Sequence, residues 1–224
     1  MDLGEFYKAE IGDRELLFSF YGYSAVALRA KDKVVMFDIA DLLKPSEVKR
    51  LDALFFTHSH YDHFNEKITV EVGKRTGAWV IAEGSVYSSL RGKLPEGKLM
   101  EAREGMEGSA NDIFFKCVKG LHIGEIILYQ VKIGDIYVFH GGDSGYVNLK
   151  GLRADVAFLP VGDPSPTASP SNALKMVEDL RPKVVVPIHG TPKQCSELEE
   201  LVKERYPQMA VIIPVKGRVE KLKV

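Results

Sequence analysis

The sequence has few of the features that mark secreted or membrane-spanning chains. It contains only two cysteines, Cys117 and Cys195, which form no CxxC pair and suggest no disulfide framework. No apolar run approaches the roughly 18 residues that a transmembrane helix needs. The N-terminal residues include acidic side chains and lack the apolar segment of a secretory signal. We therefore expect a cytoplasmic protein that does not enter the membrane.

An excess of charge of either sign is also missing. The chain has 30 Lys and Arg against 31 Asp and Glu, which gives a net charge of −1. Dedicated nucleic-acid binders usually carry a basic excess or stripe, so the composition argues against a nucleic-acid partner. At 224 residues we expect one domain over 1–224, with halves of roughly 1–105 and 110–224. A homo-oligomer is compatible with this composition.

Short β-branched and aromatic runs separated by turn residues predict many strands. The predicted strands span 3–11, 14–20, 24–30, 33–39, 53–56, 79–82, 113–118, 125–132, 136–140, 156–160, 184–186, 210–215 and 218–223. Helices are predicted at 65–76, 85–91, 171–180 and 193–206, and a short helix is predicted to open at 45–47. Strands with helices spaced between them in each half indicate an α/β protein, with two packed β-sheets and helices on the outside.

Three of the six histidines fall within one short stretch, His58-x-His60-x-Asp62-His63, directly after an apolar strand. On an extended segment, residues two apart point the same way, so His58 and His60 can hold one ion together. Asp62 and His63 lie where the chain turns towards a helix, and they can serve a second ion nearby. Imidazole and carboxylate are preferred ligands of Zn²⁺, and adjacent sites of this kind suit two-metal hydrolysis. The alternative, a polar loop of solvated histidines, is disfavoured because such a scarce residue is so concentrated here.

Further candidate ligands lie outside this cluster. Taken alone, His122 fits an ordinary loop histidine, and Asp143, in a glycine-rich segment, fits a turn carboxylate. His189 ends a buried apolar strand, and ligands of open α/β sheets usually bind at that end.

Three residues have less definite roles. His140 precedes Asp143 by three positions and is a candidate catalytic residue, a candidate support for a ligand, or a purely structural histidine. Asp38 ends a strand predicted to lie beside that of the cluster, so it is a candidate to support a ligand from behind. Asp163 could face a substrate, although a plain loop carboxylate is the favoured interpretation.

Taken in order, these residues resemble the metallo-β-lactamase superfamily. The pattern is the cluster at 58–63, then His122, Asp143 in Gly-Gly-Asp-Ser-Gly and His189 in Pro-Ile-His-Gly, and the resemblance runs from about residue 20 to 192. The segment 159–163 is similar to the L-ascorbate-6-phosphate lactonase-like branch, although 162–167 lacks the Thr-Met pair of that branch. The resemblance implies a four-layer αβ/βα sandwich with the site at the edge of the sheets.

The resemblance also implies a complete ligand set for two divalent metal ions, zinc in the first place, with manganese and iron as alternatives. His58, His60 and His122 would bind one ion, Asp62, His63 and His189 would bind the other, and Asp143 would bridge them. Two such ions, roughly 4 Å apart, can activate a shared hydroxide for attack on a carbonyl carbon or a phosphorus atom. Asp62 would also act in catalysis by orienting the hydroxide and accepting its proton. The substrate is expected to be a small ester, lactone or phosphoester.

Three alternatives stay open at this point. The same fold could serve an RNA or DNA phosphodiesterase, although the neutral charge and the absence of an RNA-binding insertion argue against it. It could serve a non-hydrolytic di-iron oxidoreductase, a branch in which the residue at the position of His60 is typically Glu. The chain could also bind metal without catalysis.

Overall fold

The computed structural model describes residues 3–164 and 167–224. Its strands are β1 (Glu15–Gly22), β2 (Ala25–Ala30), β3 (Lys33–Phe37), β4 (Ala53–Phe56), β5 (Trp79–Ala82), β6 (Leu99–Glu101), β7 (Glu107–Ala110), β8 (Ile113–Lys119), β9 (Ile127–Ile133), β10 (Ile136–His140), β11 (Val156–Pro160), β12 (Val184–Ile188), β13 (Ala210–Val211) and β14 (Val219–Lys223). Its helices are α1 (Gly4–Lys8), α2 (Glu66–Thr76), α3 (Gly84–Leu90), α4 (Pro170–Leu180) and α5 (Pro192–Arg205), with a 3-10 turn at Pro45–Glu47.

The strands form two mixed sheets of similar layout. The first has the order β14-β1-β2-β3-β4-β5-β6, and the second has the order β13-β12-β11-β10-β9-β8-β7. In the first sheet β3 to β6 are parallel, and in the second β10 to β13 are parallel, while the other pairs are antiparallel. The predicted α/β sandwich of two sheets flanked by helices is therefore confirmed.

The core is divided into three apolar layers. Between the sheets, aromatic rings from both sides meet, as in the edge-to-face pair of Phe18 and Phe158 at 5.4 Å between ring centroids. A second layer packs α1, α2 and α3 against the outer face of the first sheet, and a third packs α4 and α5 against the second sheet. Each fully buried phenylalanine in these layers contributes roughly 1.5–3 kcal/mol of burial free energy. The packed layers therefore fix where each strand ends.

The predicted strand over 3–11 is wrong, because the chain forms helix α1 there. Leu3 and Phe6 lie one helical turn apart and are both buried in the layer outside the first sheet. A strand would point them to opposite faces, whereas a helical turn buries both on one side. The predicted strand at 210–215 also shrinks to Ala210–Val211. Among the described residues, no helix has the length and apolar character that crossing a bilayer requires.

The two helices that follow candidate ligands, α2 and α5, both begin with a hydrogen-bonded N-cap. Asn65 caps α2 by accepting a hydrogen bond from the Ile68 backbone N–H at 3.0 Å. Thr191 caps α5 in a reciprocal capping box with Gln194. Such caps satisfy backbone donors at the helix start and typically contribute about 1 kcal/mol each. They fix the chain immediately after the cluster at 58–63 and immediately after His189.

Candidate metal centre

The seven predicted ligands come together from four loops, each of which follows a strand. The loop after β4 supplies His58, His60, Asp62 and His63, the loop after β8 supplies His122, the loop after β10 supplies Asp143, and the loop after β12 supplies His189. Because β3 and β4 run parallel in one sheet and β10, β11 and β12 run parallel in the other, their carboxyl ends open at one edge of the sandwich.

His58, His60, His122 and Asp143 form one group, whose potential ligand atoms all lie within 4.8 Å of one another. His60 Nδ1 is 3.2 Å from His122 Nε2. His122 Nε2 is in turn 3.3 Å from Asp143 Oδ2, and His58 Nε2 is 3.7 Å from Asp143 Oδ1. Three imidazoles and a carboxylate thus converge on one point.

Asp62, His63 and His189 form a second group of the same compactness. Asp62 Oδ2 is 3.3 Å from His189 Nε2 and 3.6 Å from His63 Nε2. Asp143 Oδ2 lies 3.6 Å from His63 Nε2 and 3.7 Å from His189 Nε2. Asp143 therefore lies between the two groups, with a carboxylate oxygen close to each.

The residues of both groups fit divalent metal ions. Among the described residues, His58 Nε2, His63 Nε2 and Asp143 Oδ1 are buried atoms with no hydrogen-bond partner. A buried polar atom without a partner costs about 1–3 kcal/mol, so protein interiors seldom leave three of them together. Imidazole nitrogen and carboxylate oxygen are ligands that suit Zn²⁺. A cation at these atoms would supply the missing partner.

In the metal-free centre the pKa values of neighbouring ligands are shifted in opposite directions. Burial alone would lower the pKa of His63, but the carboxylates of Asp38 and Asp143 raise it to about 10. Burial and the neighbouring His63 lower the pKa of His58 to about 3. Burial would raise the pKa of Asp143, yet the nearby charge of His63, 3.6 Å away, holds it well below its usual range. In the absence of metal, a protonated His63 is therefore the cation that faces the carboxylates.

Asp38 and Thr57 support two of the ligands from behind. Asp38 Oδ2 is 2.9 Å from His63 Nδ1, and both carboxylate oxygens accept hydrogen bonds from Thr57, from its N–H and from its hydroxyl, at 2.8 Å each. The Thr57 hydroxyl is also 3.0 Å from His58 Nδ1. With their Nδ1 atoms held in this way, His58 and His63 present Nε2 to the centre. The parallel register of Phe37 with Phe55 brings Asp38 to this place, as its predicted strand suggested.

His140 lies outside both groups, and this geometry does not support the direct catalytic role predicted for it. Its ring is fully buried and stacks on Phe37, with centroids 4.4 Å apart. Its Nε2 is 2.8 Å from the Ser24 carbonyl oxygen, and its Nδ1 accepts the Gly142 N–H at 3.3 Å. Both ring nitrogens are thus engaged with backbone. His140 holds the loop that carries Asp143 and has no polar atom left for a substrate.

A cleft of about 1040 Å³ opens beside His189. Its lining includes Tyr23, Asp163, Lys193 and Gln194. Asp163 belongs to the wall of the cleft, where its carboxylate and its carbonyl both accept hydrogen bonds from the Gln194 side chain, at 3.0 and 2.7 Å. Ser165 and Pro166, in the loop whose sequence suggested the lactonase-like branch, lie outside the described residues.

Two of the residues that shape this region, Tyr23 and Gly162, were not among the predicted site residues. Tyr23 accepts the His189 N–H through its carbonyl at 2.9 Å, and its ring lies 5.7 Å from the His189 ring. At Gly162, an added Cβ would lie 1.9 Å from the His189 carbonyl oxygen, so only glycine lets the two loops pass this closely. A glycine two residues after the buried strand β11 was the one hint in the sequence of this close approach.

Comparison with known proteins agrees with this architecture. A family model described as a beta-lactamase superfamily domain matches residues 17–189, which is more than half of the chain. A second model, described as a Zn-dependent metallo-hydrolase RNA specificity domain, matches residues 171–215. The chain is 32% identical over 200 residues to a UPF0173 metal-dependent hydrolase of Geobacillus thermodenitrificans, covering 76% of this chain and 84% of that protein.

Solved structures share the fold. Igni18, a metallo hydrolase from Ignicoccus hospitalis, superimposes with a TM-score of 0.77 at 22% identity, covering 94% of this chain and 99% of that one. CmlA, a diiron beta-hydroxylase from Streptomyces venezuelae, superimposes with a TM-score of 0.71 at 14% identity, covering 96% of this chain and 55% of that one. At such identities the likeness concerns the fold alone, since one fold hosts different chemistries.

Proposed function

This chain belongs to the beta-lactamase superfamily and to its UPF0173 metal-dependent hydrolases, and we propose that it hydrolyses a small ester, lactone or phosphoester at a centre of two divalent ions. The position of Asp143 between the two ligand groups carries the proposal. A single carboxylate that lies within 3.7 Å of histidine nitrogens from both groups is suited to bridge two ions. Zinc is the first expectation for both positions.

The residues divide the work as follows. Two bound ions would lower the pKa of a water molecule towards neutrality and stabilise negative charge that develops on the substrate. Asp62 is the proton acceptor we propose, because its carboxylate is part of the second group and is only partly buried. Its pKa is held below the usual range, since the hydrogen bond to His189 and the charge of His63 outweigh the effect of burial. Asp62 is therefore ionised at neutral pH.

The cleft beside His189 offers room for the substrate. Its volume of about 1040 Å³ accommodates a small organic molecule, and its polar lining can hydrogen-bond to one. The likeness of segment 159–163 to the lactonase-like branch is compatible with a lactone, and the nucleophile would serve an ester or a phosphoester equally well. We therefore place the substrate among these three classes.

Metal analysis combined with a hydrolysis screen tests the proposal. The protein is stripped with chelator, reconstituted with Zn²⁺ or Mn²⁺, and assayed on esters, lactones and phosphoesters. We expect about two ions per chain and metal-dependent hydrolysis in at least one class. Less than half an ion per chain after reconstitution, or a fully metalated protein that hydrolyses none of these substrates, would contradict it. Iron bound in place of zinc, with oxygen consumption, would instead support the di-iron alternative.

An RNA phosphodiesterase is the second candidate, because residues 171–215 match a model described as an RNA specificity domain. The net charge of −1 argues against tight binding to a polyanion. The same screen therefore includes a single-stranded RNA at low and high salt. Cleavage that weakens steeply with added salt would favour this candidate over a small-molecule substrate.

A further inference from the structure

The outer face of the second sheet carries a groove that follows β8. Phe115 and Cys117 on this strand point into the layer between the sheets, so the residues that alternate with them face outwards. Two hollows of about 380 and 460 Å³ lie on that outer face, and they adjoin, because both are lined by Lys116, Gly151 and Leu152. We call the two hollows together the basic groove.

Cations outnumber carboxylates along this groove. Its lining includes the four lysines Lys116, Lys119, Lys132 and Lys150 against the two acids Glu104 and Glu107. Glu107 is paired with Lys116 at 2.9 Å. The other three lysines have no carboxylate within 4.0 Å in the part of the chain that the structure describes. A local excess of positive charge therefore exists in a chain whose net charge is −1, and a ligand at the groove meets this local field.

Two aromatic rings lie in one row at the end of the groove that is farther from the metal centre. The antiparallel register places Phe114 opposite Lys132 and Lys132 opposite Tyr137, so the three side chains share one face across β8, β9 and β10. Phe114 is 56% exposed. The Arg153 guanidinium carbon lies 4.6 Å from the centroid of the Tyr137 ring, and Lys132 Nζ lies 5.7 Å from it. Aromatic rings and guanidinium planes beside cations are surfaces on which nucleobases stack.

The cations are spread along the groove and do not converge on one point. Lys132 lies beside Phe114 in the row of rings, whereas Lys119 lies five residues further along β8, which corresponds to about 17 Å. One isolated phosphate group would need its donors at a single place, but a chain with repeated phosphates needs them at intervals. Lys119 precedes the ligand His122 by three residues, so their Cα atoms are at most about 11 Å apart. The groove thus ends near the metal centre.

We propose that the basic groove binds single-stranded nucleic acid, with bases stacked at Phe114 and Tyr137 and phosphates beside Lys119, Lys132 and Lys150. An acidic peptide would match the charges but would not use the exposed ring of Phe114. A duplex keeps its bases paired and stacked, so it would offer none to this ring. The inference concerns binding alone and goes beyond the proposed hydrolysis, because it holds whichever bond the metal centre cleaves.

Salt-dependent binding tests the charged part of the proposal. Fluorescence anisotropy of a labelled twelve-nucleotide oligo-dT is followed on the zinc-reconstituted full chain over a range of NaCl concentrations. With about four phosphates neutralised, the plot of log K against log salt should have a slope of about −3. The double variant Lys119→Gln/Lys150→Gln should bind at least about tenfold more weakly at about 50 mM NaCl and should flatten the slope by about 1.4.

A matched control separates the groove from the charge of the whole molecule. Lys67 and Lys74 are exposed on α2, which packs on the other sheet, and they have no carboxylate within 4.0 Å among the described residues. Lys67→Gln/Lys74→Gln changes the net charge by the same amount and should alter binding less than about twofold. Equal weakening by the two double variants would overturn the inference, because net charge alone would then explain the binding.

Stacking is tested at Phe114. Phe114→Leu keeps an apolar side chain but removes the ring, and it should weaken oligo-dT binding about fivefold without changing the salt slope. Phe114→Tyr keeps the ring and should bind like the wild type. Equal binding by the leucine and tyrosine variants would overturn the proposed stacking, and with it the preference for nucleic acid over an acidic peptide.

Three results with the wild-type protein would also overturn the inference, and they decide if a variant fails to fold. They are no binding of oligo-dT at low salt, equally tight binding of a duplex of the same length, and equally tight binding of a polyglutamate peptide. None of them affects the proposed hydrolase function, which stands or falls with metal content and the hydrolysis screen. Conversely, a metalated chain that hydrolyses nothing could still show the salt slope and the loss in Phe114→Leu.

Discussion

The sandwich buries carboxylates at both of its ends, and the two ends neutralise them in different ways. At the amino end of β11, Asp155 lies 2.9 Å from Arg14 Nη2 and 3.2 Å from Lys183 Nζ, and it accepts the Tyr137 N–H at 3.0 Å. At the opposite end, no lysine or arginine among the described residues lies within 4.0 Å of Asp38, Asp62 or Asp143.

The difference shows at which end folding alone supplies the buried carboxylates with Lys or Arg partners. We call the Asp155 end, where it does, the completed end, and the Asp143 end, where it does not, the incomplete end. Burying a carboxylate is costly unless it is paired and hydrogen-bonded. Around Asp155 the chain supplies its own cations, so this end is satisfied once the protein has folded. Around Asp143 the chain supplies ligands, three of whose buried atoms lack a partner. In the metal-free protein a protonated His63 is the cation at that end, and the buried atoms it leaves without a partner suit a cation from outside.

The largest expected effect comes from removing a ligand at the incomplete end. His63→Ala should reduce the ion content from about two to about one per chain, because the group of Asp62 and His189 keeps only two of its three ligands. Hydrolysis should fall at least ~100-fold, since both ions take part in the proposed reaction. Elemental analysis and kinetics on the reconstituted variant measure both quantities. Lys183→Ala, at the completed end, is the control and should retain both ions. Equal ion contents in the two variants would show that His63 is not needed to hold an ion.

A smaller effect is expected when a supporting residue is changed and every ligand is left in place. Asp38→Asn keeps the size of the side chain but weakens its hydrogen bonds to His63 and Thr57. Loss of such support typically costs about 10–100-fold in metal affinity, so competition with a chromophoric chelator should show a loss in this range. His63 should then titrate at lower pH in the metal-free protein, because the Asp38 charge that raises its pKa is gone. An unchanged affinity would mean that packing alone orients His63.

Asp155→Asn tests the completed end, and it should affect stability without changing ion content. Burial would raise the pKa of Asp155, but the Tyr137 N–H, Lys183 and Arg14 together lower it. A carboxylate with a lowered folded-state pKa stabilises the protein above its unfolded pKa of about 3.9, and this contribution disappears as the pH falls through the folded pKa. We expect the variant to lose about 1–3 kcal/mol of unfolding free energy at pH 7.

Urea unfolding of the metal-free wild type and Asp155→Asn between pH 7 and pH 3 measures this difference. The two stabilities should converge as the pH falls below 4, because the wild-type carboxyl then becomes protonated. A constant difference at every pH would assign the effect to lost packing or hydrogen bonding and not to charge. Using metal-free protein keeps the loss of metal at low pH out of the measurement.

The sequence predicted the local features of the metal centre, whereas most of the contacts between distant parts of the chain, including the whole Asp155 network, could not be read from it. The cluster at 58–63 could be derived directly, because its ligands are adjacent and their directions follow from strand geometry. The contact between His189 and Asp62 joins residues 127 positions apart, so only resemblance to a family indicated it. Asp38 could be named as a candidate support because its strand was expected beside that of the cluster, but its bonds to Thr57 and His63 depend on the exact register of β3 beside β4. Helix α1 was missed because Leu3 and Phe6 pack on a sheet that forms later in the chain.

The smallest expected effect comes from an ion pair that lies at neither end. Lys203 and Glu199 pair one helical turn apart on α5, with side chains 59% and 27% exposed. Water solvates both charges whether or not they meet, so Lys203→Ala should cost only about 0.3–0.5 kcal/mol in urea unfolding, and less in 1 M salt. Asp155→Asn should keep more of its effect in salt, because the Asp155 side chain is only 5% exposed and also accepts the Tyr137 N–H. Similar losses of stability with an equal response to salt in the two variants would contradict this. The ion pairs of Asp155 would then stabilise the fold no more than an exposed pair does.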